Sequence, residues 1–278
     1  MPEHNLAHAL SRVEETVARR EAAKIYQFPL WPEPDRGLPN EIIRSALFPA
    51  VRVRGDKFQE NVPIAAHKGL TITYTGAPLT QSDLDIFEGV MHLARGTPEN
   101  HWVKFSRHSL LKLIGRSTGK SDHDRLQRSL QCLAASVVII HRDGEGGQKA
   151  RVYWGSLLPQ GAYDEASGLF AVKIDRELVK LFERGFTRVQ FEQRHKLRKK
   201  PLAQWLHLYY SSHQTPFPVS VAFLAEKSGS DTQNLKHFRA NLRAALDELV
   251  KLDFLSHYRI TKGDVVEVER TAPRPALG

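Results

Sequence analysis

The sequence of 278 residues contains a single cysteine, Cys132. One thiol excludes an internal disulfide framework and any CxxC metal or redox motif, which is typical of a protein in a reducing compartment. Long hydrophobic runs are also missing: the longest uncharged, apolar-leaning stretch, residues 129–140, is well short of the ~18 residues that a membrane span requires. The first residues carry acids where a signal peptide has a positive segment and an apolar core. We therefore expect a cytoplasmic protein with no membrane partner.

Acidic residues are in deficit. The chain has 40 Lys and Arg against 31 Asp and Glu, a net charge of +9 and a pI near 9.6. Such a balance favours an anionic partner, and it is one mark of a nucleic-acid-binding protein when the basic residues cluster. The 41% of hydrophobic residues excludes wholesale disorder, and the length favours two domains at roughly 150 residues each.

The N-terminal part predicts an arm. Residues 6–26 are rich in Ala, Glu and Arg and contain no Gly or Pro, so they favour a helix with a short apolar stripe. A linker follows, because prolines remove backbone donors and favour extended geometry. These prolines are Pro29, Pro32, Pro34 and Pro39.

One order of elements is predicted twice. In the first half, a short helix at residues 109–114, a turn at Gly115 and a helix at 121–135 precede a hairpin formed by strands 137–142 and 149–158. In the second half, a short helix at 219–227, a turn at Ser228–Gly229 and a long helix ending near Lys251 precede a hairpin of strands 254–260 and 265–269. Short helix, turn, longer helix and hairpin is the order of a winged helix. The sequence thus predicts an α+β fold with two tandem winged-helix domains: an arm at 1–37, domain 1 at 38–192 and domain 2 at 193–278.

The long helix of the second half is the candidate for reading a DNA groove. We predict that Ser230 caps it, with Gln233 completing a capping box. At helical spacing Leu235, Phe238, Leu242, Ala245, Leu246 and Leu249 share one side. The opposite side suits phosphates and base edges, although a solvated cationic face is the commoner role of such residues. The predicted DNA-binding residues are Ser230, Thr232, Gln233, Lys236, His237, Arg239 and Arg243, around the small Ala240.

Two other basic groups are candidates for backbone contact. In the helix of the first half, Arg128 faces outward and Arg125 lies on the flank, while Lys120, directly before the helix, is expected to touch a DNA phosphate. The acids at 122 and 124 would repel phosphate at this end of the helix. Near the start of a helix predicted at residues 197–212, Arg198, Lys199 and Lys200 end a basic run that begins at Arg194. That run is either a phosphate clamp between the domains or a solvated linker.

Nothing in the sequence predicts catalysis. Residues 115–121, GRSTGKS, resemble a phosphate-binding loop but have three residues between the glycines where the motif needs four, and a helix precedes them where it needs a strand. There is no GxSxG or HExxH motif, and His4 and His8 lack further metal ligands. We therefore predict no catalytic residue, no metal and no cofactor.

The peptide QFPLW at residues 27–31 is apolar and lies between the predicted helix and the Pro-rich linker. Large apolar side chains in an extended segment need to be covered. They pack either on the protein's own first domain or in the hydrophobic pocket of a partner.

With both halves considered, the chain resembles the TrfA family of plasmid replication initiators, from about residue 27 to residue 260. The motifs that carry the resemblance are LPN at 38–40 with RSALF at 44–48, ITYTG at 72–76, GSLL at 155–158, YSSH at 210–213 with Pro216 and Pro218, and GSDT at 229–232.

The resemblance implies tandem winged helices, with the C-terminal one reading repeated iterons and the N-terminal one contacting flanking backbone and mediating dimerisation. It implies a monomer that opens the origin, dimers that restrain copy number, and three host partners in the bacterial cytoplasm: the chromosomal initiator, the replicative helicase and the sliding clamp. Gln27, Leu30 and Trp31 match the family's clamp-binding peptide in kind, whereas Phe28 and Pro29 depart from it. The alternative function is a transcriptional repressor with duplicated winged helices.

Overall fold

The computed structural model of this chain describes residues 25–52, 55, 57–143, 149–232 and 234–271. Almost all of the helix predicted at residues 6–26 therefore lies outside the described residues, and so does Gln233. Within the described ranges, no helix combines the length and the apolar character needed to cross a membrane.

Helices and strands are mixed along the described chain, as predicted. The helices are α1 (Asn40–Ile43), α2 (Gln81–Ala94), α3 (Arg107–Leu113), α4 (Lys120–Ala134), α5 (Arg176–Glu183), α6 (Phe191–Lys196), α7 (Pro201–Ser211), α8 (Val221–Lys227) and α9 (Leu235–Lys251). The strands are β1 (Asp35–Pro39), β2 (Gln59–Ile64), β3 (Leu70–Gly76), β4 (Trp102–Ser106), β5 (Val137–Asp143), β6 (Lys149–Gly155), β7 (Gln160–Asp164), β8 (Leu169–Lys173), β9 (Phe186–Gln190), β10 (Val219–Ser220), β11 (Leu255–Ile260) and β12 (Val265–Arg270).

The same order of elements occurs twice. In the first unit, residues 81–173, α2, β4, α3 and α4 precede the hairpin β7–β8, and β4 pairs with β8. In the second unit, residues 201–270, α7, β10, α8 and α9 precede the hairpin β11–β12, and β10 pairs with β12. Each three-stranded sheet therefore has the last strand of its hairpin in the middle.

The hairpin that the sequence assigned to the first unit belongs to another sheet. β5 and β6 pair with each other as predicted, but β5 also pairs with β3, so both strands join the four-stranded sheet β2-β3-β5-β6. The prediction that this hairpin belongs to the first unit was wrong. An alternating pattern identifies a strand and its buried face, but it does not identify the strand with which it pairs. The hairpin that pairs with β4 was missed because the residues of β7, QGAYD, are all exposed and lack an apolar face.

Two hydrophobic cores lie on either side of the junction between the units. The first combines side chains of α2, β3, β5 and α5 with Tyr26, Phe28 and Trp31 of the predicted arm. The second is formed mainly by α7, α8 and α9. β1 pairs with β9, and Leu38 and Val189 of these strands pack in the first core. The start of the described chain is therefore part of the first body, by which we mean the residues that form the first core and the strands and helices that carry them. The predicted domain boundaries after residues 37 and 192 fall within β1 and α6.

Buried polar contacts hold the junction together. The Nε1 of Trp205 donates a hydrogen bond to the backbone oxygen of Ser45 at 3.1 Å. The guanidinium of Arg194, on α6, lies 2.7 Å from a carboxylate oxygen of Asp85 and 3.0 Å from one of Glu88, both on α2. Burial raises the pKa of Glu88 to about 7, because the charged form loses its hydration. Arg194 therefore stabilises the junction through its ion pairs and is not a solvent-exposed member of the basic run.

Candidate nucleic-acid interface

Helix α9 has one buried and one cationic face. Its buried residues are Phe238, Leu242, Ala245, Leu246 and Leu249, which pack in the second core. Lys236, His237, Ala240 and Arg243 are exposed on the other side, as the helical spacing predicts. Leu235 was predicted to be buried, and this is wrong: its side chain is 47% exposed, because it is the first residue of the helix and lies beyond the edge of the core.

The helix begins later than predicted. Asn234 is the N-cap, and its side-chain oxygen accepts a hydrogen bond from the backbone N–H of Lys236 at 2.9 Å. The hydroxyl of Ser230 instead accepts from the N–H of Thr232 at 3.2 Å, which stabilises a turn ahead of the helix. The predicted cap at Ser230 is therefore wrong, because Asn and Ser are equally good N-caps and only one of them lies at the helix start. Ser230 and Thr232 lie in the loop that leads into α9.

Arg239 joins α9 to the turn of the hairpin β11–β12. Its guanidinium forms an ion pair with Asp264 and donates from Nη2 to the backbone oxygen of Thr261 at 2.9 Å. Its charge is thus compensated within the protein by Asp264, while the side chain stays partly exposed, and a DNA contact by Arg239 stays a prediction. On the same helix, Asp247 accepts a hydrogen bond from the hydroxyl of Tyr258 at 2.6 Å. Both contacts fix the hairpin against the helix.

In the first unit, α4 shows the arrangement expected of its sequence. Lys120, Arg125 and Arg128 are exposed, while Leu126, Leu130 and Leu133 are buried. Of the two acids expected to oppose phosphate binding, Asp124 is exposed and Asp122 is mostly buried. Asp122 accepts a hydrogen bond from the hydroxyl of Ser117 and lies 3.6 Å from Nη1 of Arg125. The N-cap is Gly119, and the loop before it follows helix α3.

The basic run before α7 has members in different environments. Arg198 donates a hydrogen bond from Nη1 to the backbone oxygen of Gly115 at 2.8 Å. Lys200 forms an ion pair with Glu248 of α9 at 2.6 Å. Lys199 is exposed and has a φ of 66°, in the left-handed region. The run therefore lies across the junction of the two units.

The predicted clamp-binding residues separate in the structure. Trp31 is 2% exposed: its ring stacks on Phe182 with centroids 6.0 Å apart, and its Nε1 donates to Nδ1 of His92 at 3.1 Å. Trp31 therefore packs on the protein's own first body, and the prediction that it is presented to a partner is wrong. Leu30 is 76% exposed, and the side-chain amide of Gln27 donates to the backbone oxygen of Gly96 at 2.7 Å. A partner contact by Gln27 and Leu30 stays a prediction.

Among the described residues, no three His, Cys, Asp or Glu side chains cluster in a way that could hold a metal ion. The buried imidazoles are part of the packing. Burial lowers the pKa of His92 to about 4 and that of His207 to about 3, so both are neutral at pH 7.

The family to which this chain belongs follows from comparison with known proteins. The sequence profile of the family described as TrfA protein matches residues 7–270. The chain belongs to the TrfA family. The resemblance inferred from short motifs is thus confirmed.

A curated relative of this TrfA-family chain is the plasmid replication initiator protein TrfA of Escherichia coli, which is 27% identical over 246 residues. The matched region covers 86% of this chain and 63% of the relative, so the chain spans less than two thirds of that protein. Among solved structures, domains 2 and 3 of RctB share the fold with a TM-score of 0.54 at 15% identity, over 84% of this chain and 97% of that one.

In this TrfA-family chain, Arg52 is a further candidate residue of the interface that no sequence pattern indicated. Its side chain is exposed and borders two clefts at the junction, one against α4 and one against the loop before α9. The residue lies outside every helix and hairpin that the pattern predicted, in the short motif VRVR at residues 51–54. A cationic residue in an irregular segment produces no periodic pattern in the sequence. Its position at the border of the two clefts follows only from the packing of that segment.

Proposed function

We propose that this TrfA-family chain is a plasmid replication initiator and that each of its two units is a winged helix that contacts duplex DNA. The observation that carries the proposal is the two-sided α9, whose leucines are buried in the second core while Lys236, His237 and Arg243 are exposed. Family membership supports the same function. Localisation in the bacterial cytoplasm, with the nucleoid and the plasmid, belongs to this proposal.

Helix α9 supplies the sequence readout in this proposal. Lys236 and Arg243 neutralise phosphates or contact guanine, and Gln233 pairs with adenine. Ala240 is small and exposed between them, so the helix can approach the groove floor closely. Because Arg239 ties the helix to the turn of the β11–β12 hairpin, helix and hairpin meet DNA as one preformed surface.

The first unit contributes contacts to the DNA backbone. Lys120, Arg125 and Arg128 of α4 are exposed, and the partial neutralisation of Asp122 reduces repulsion at the start of this helix, where Asp124 is the exposed acid. Such contacts carry no sequence information but set the register of the protein on the duplex. Dimerisation through the first unit belongs to the proposal as well.

Initiation then follows from binding alone. The chain occupies repeated iterons, and the free energy of binding deforms the DNA and promotes melting of an adjacent AT-rich region. The opened origin recruits the chromosomal initiator, the replicative helicase and the sliding clamp of the host. In this mechanism the protein makes and breaks no bond and needs no cofactor.

A footprint on the DNA that flanks the gene tests the proposal. We expect protection of direct repeats at regular spacing. A transformation assay that depends on this origin, in a host without other initiators, then separates an initiator from a repressor, because a repressor protects an operator but yields no transformants. Protein-dependent turnover of labelled DNA or ATP with Mg²⁺ would contradict the non-enzymatic mechanism.

A further inference from the structure

A cationic cleft lies where the two units meet. We call it the junction cleft: it has a volume of about 500 Å³ and lies between α2, α4 and the segment before α7. Its charged lining residues are Arg52, Asp85, Arg116, Asp122, Arg125, Arg198 and Lys199. A second cleft of about 620 Å³ shares Val51, Arg52 and Pro201 with it and reaches the loop before α9. The two clefts form a path along the protein surface from α4 to α9.

The acids of the junction cleft are compensated, whereas several of its cations are not. Asp85 lies 2.7 Å from Arg194 and 3.2 Å from Arg116. Asp122 accepts a hydrogen bond from Ser117 and lies 3.6 Å from Arg125. Within the described ranges, no salt bridge involves the three remaining cations, so the cleft has an excess of positive charge. These cations are Arg52, Arg198 and Lys199.

The second cleft is less suited to an anion. Glu248 lies there and forms an ion pair with Lys200 at 2.6 Å, and Asp231 is exposed in the loop before α9. An anionic ligand is therefore expected in the junction cleft, with Arg52 at its border.

The backbone of Lys199 gives independent support for a ligand. Its φ of 66° lies in the left-handed region, where glycine is unstrained and a lysine is not. The segment is held in this conformation by a hydrogen bond from the N–H of Lys200 to the oxygen of Leu197 at 3.0 Å, and by Pro201 in the first turn of α7. The position carries a long cationic side chain where a glycine would be unstrained. Strain of this kind is typical of functional sites.

We propose that the junction cleft binds the sugar–phosphate backbone of duplex DNA at the point where the duplex passes from α4 to α9. Arg52 and Lys199 contact phosphates, and Arg198, held by the backbone oxygen of Gly115, positions the strand between them. The inference rests on the proposed function, since it requires that both units contact one duplex. It adds a binding site between them that sets the register of one unit relative to the other.

The test compares Lys199→Gly with Arg52→Gln. Glycine removes the charge and accepts the left-handed conformation, and this gain offsets the greater entropy of the unfolded chain, so the melting temperature of Lys199→Gly should stay nearly unchanged. The probe is a fluorescent random-sequence duplex of about four helical turns, ~40 base pairs. Its affinity is measured by anisotropy at several salt concentrations. Each variant should reduce the slope of log K against log salt by about 0.9, and the double variant by about twice that.

Lys196→Gln is the matched control. Lys196 lies in the same basic run, is exposed and is 3.9 Å from Glu192, so its loss should leave the slope unchanged.

The outcomes separate this inference from the proposed function. If the wild type binds the long duplex and the slopes of Lys199→Gly and Arg52→Gln equal its own, the cleft does not hold the backbone although the chain binds DNA. The inference is also overturned if a polyglutamate peptide loses affinity for these variants while the duplex does not. If the wild type fails to bind any duplex, the proposed function itself is wrong.

Discussion

Pro49 packs against Gly229, the residue that turns the chain between α8 and α9. A Cβ atom at Gly229 would lie 2.8 Å from the Cβ of Pro49, and beside it the N–H of Ala50 donates to the oxygen of Ser228 at 2.7 Å. The turn between α3 and α4 has the same relation to the junction, since a Cβ at Gly115 would collide with the imidazole of His195. The turns that orient α4 and α9 are therefore both fixed by the junction, which couples the two candidate DNA-binding helices.

Replacing Gly229 by alanine should destabilise the second unit for two reasons. The φ of 61° is strained for any residue with a Cβ, at a cost of roughly 1–3 kcal/mol. The collision with Pro49 adds to this cost. Gly69→Ala isolates the first term, because Gly69 has a φ of 85° and no atom within 4 Å of a Cβ. Urea unfolding should show a larger loss for Gly229→Ala, and equal losses would mean that the contact with Pro49 contributes nothing.

Lys236→Ala and Arg243→Ala test whether α9 reads bases. If these side chains contact base edges, each substitution should weaken specific binding by roughly 1–3 kcal/mol and binding to random DNA much less. Lys251→Ala is the control: Lys251 ends the same helix, is exposed and lies 3.3 Å from Glu248. The comparison uses anisotropy titrations with two duplexes, one that contains the repeats protected in the footprint and one of random sequence. Equal losses on both duplexes would show contacts to phosphate only.

The faces of α9 were predictable because they depend on local spacing. Phe238 and Leu242 recur at helical intervals, and the period of the helix alone determines that they share a side with Leu246. The start of the helix was not predictable in the same way. Ser230 and Asn234 are both good caps, and the choice between them depends on where Gly229 places the turn relative to Pro49, a contact with a distant part of the sequence.

At the candidate site, Trp31 and Arg239 likewise have contacts with distant parts of the sequence that local patterns do not predict. The extended peptide around Trp31 gives no sign of the pocket formed by Phe182 and Phe186, about 150 residues later in the chain. Arg239 has the side-chain type and spacing of a DNA contact, but its partner Asp264 belongs to a hairpin turn that only the folded unit brings close. Local pattern predicts which residues face outward, and tertiary packing decides which of them are available.

Leu30→Ala and Trp31→Ala should have different effects. Leu30 is 76% exposed, so its truncation should leave the free energy of unfolding nearly unchanged and should reduce affinity for the host sliding clamp. Trp31 is buried, and its truncation should cost about 3–5 kcal/mol of stability through the cavity it leaves. Ile25→Ala, at an apolar position of the same segment that is 74% exposed, is the control. Unchanged clamp affinity in Leu30→Ala would remove the partner contact from the proposal.

His92 should make the first body sensitive to acid. Its Nδ1 accepts the indole N–H of Trp31 at 3.1 Å, while Nε2 lies 3.3 Å from Glu33, so the neutral ring carries its proton on Nε2. Burial, together with the charge of Arg36, lowers the pKa of His92 from an ordinary 6.5 to about 4. Between these values the unfolded chain binds a proton that the folded chain does not. The stability that depends on neutral His92 is therefore complete above pH 6.5 and decreases as the pH falls toward 4.

His92→Gln isolates this contribution, because every other titrating group is common to the two proteins. The difference in the free energy of unfolding between wild type and variant should shrink by at most about 3 kcal/mol from pH 7 to pH 4. Urea unfolding at half-unit pH intervals measures it. His207→Gln is a control on the second core, where burial shifts the pKa in the same direction, so its effect should appear in the unfolding of the second unit. Parallel pH profiles for wild type and His92→Gln would show that His92 takes up its proton equally in the folded and the unfolded chain.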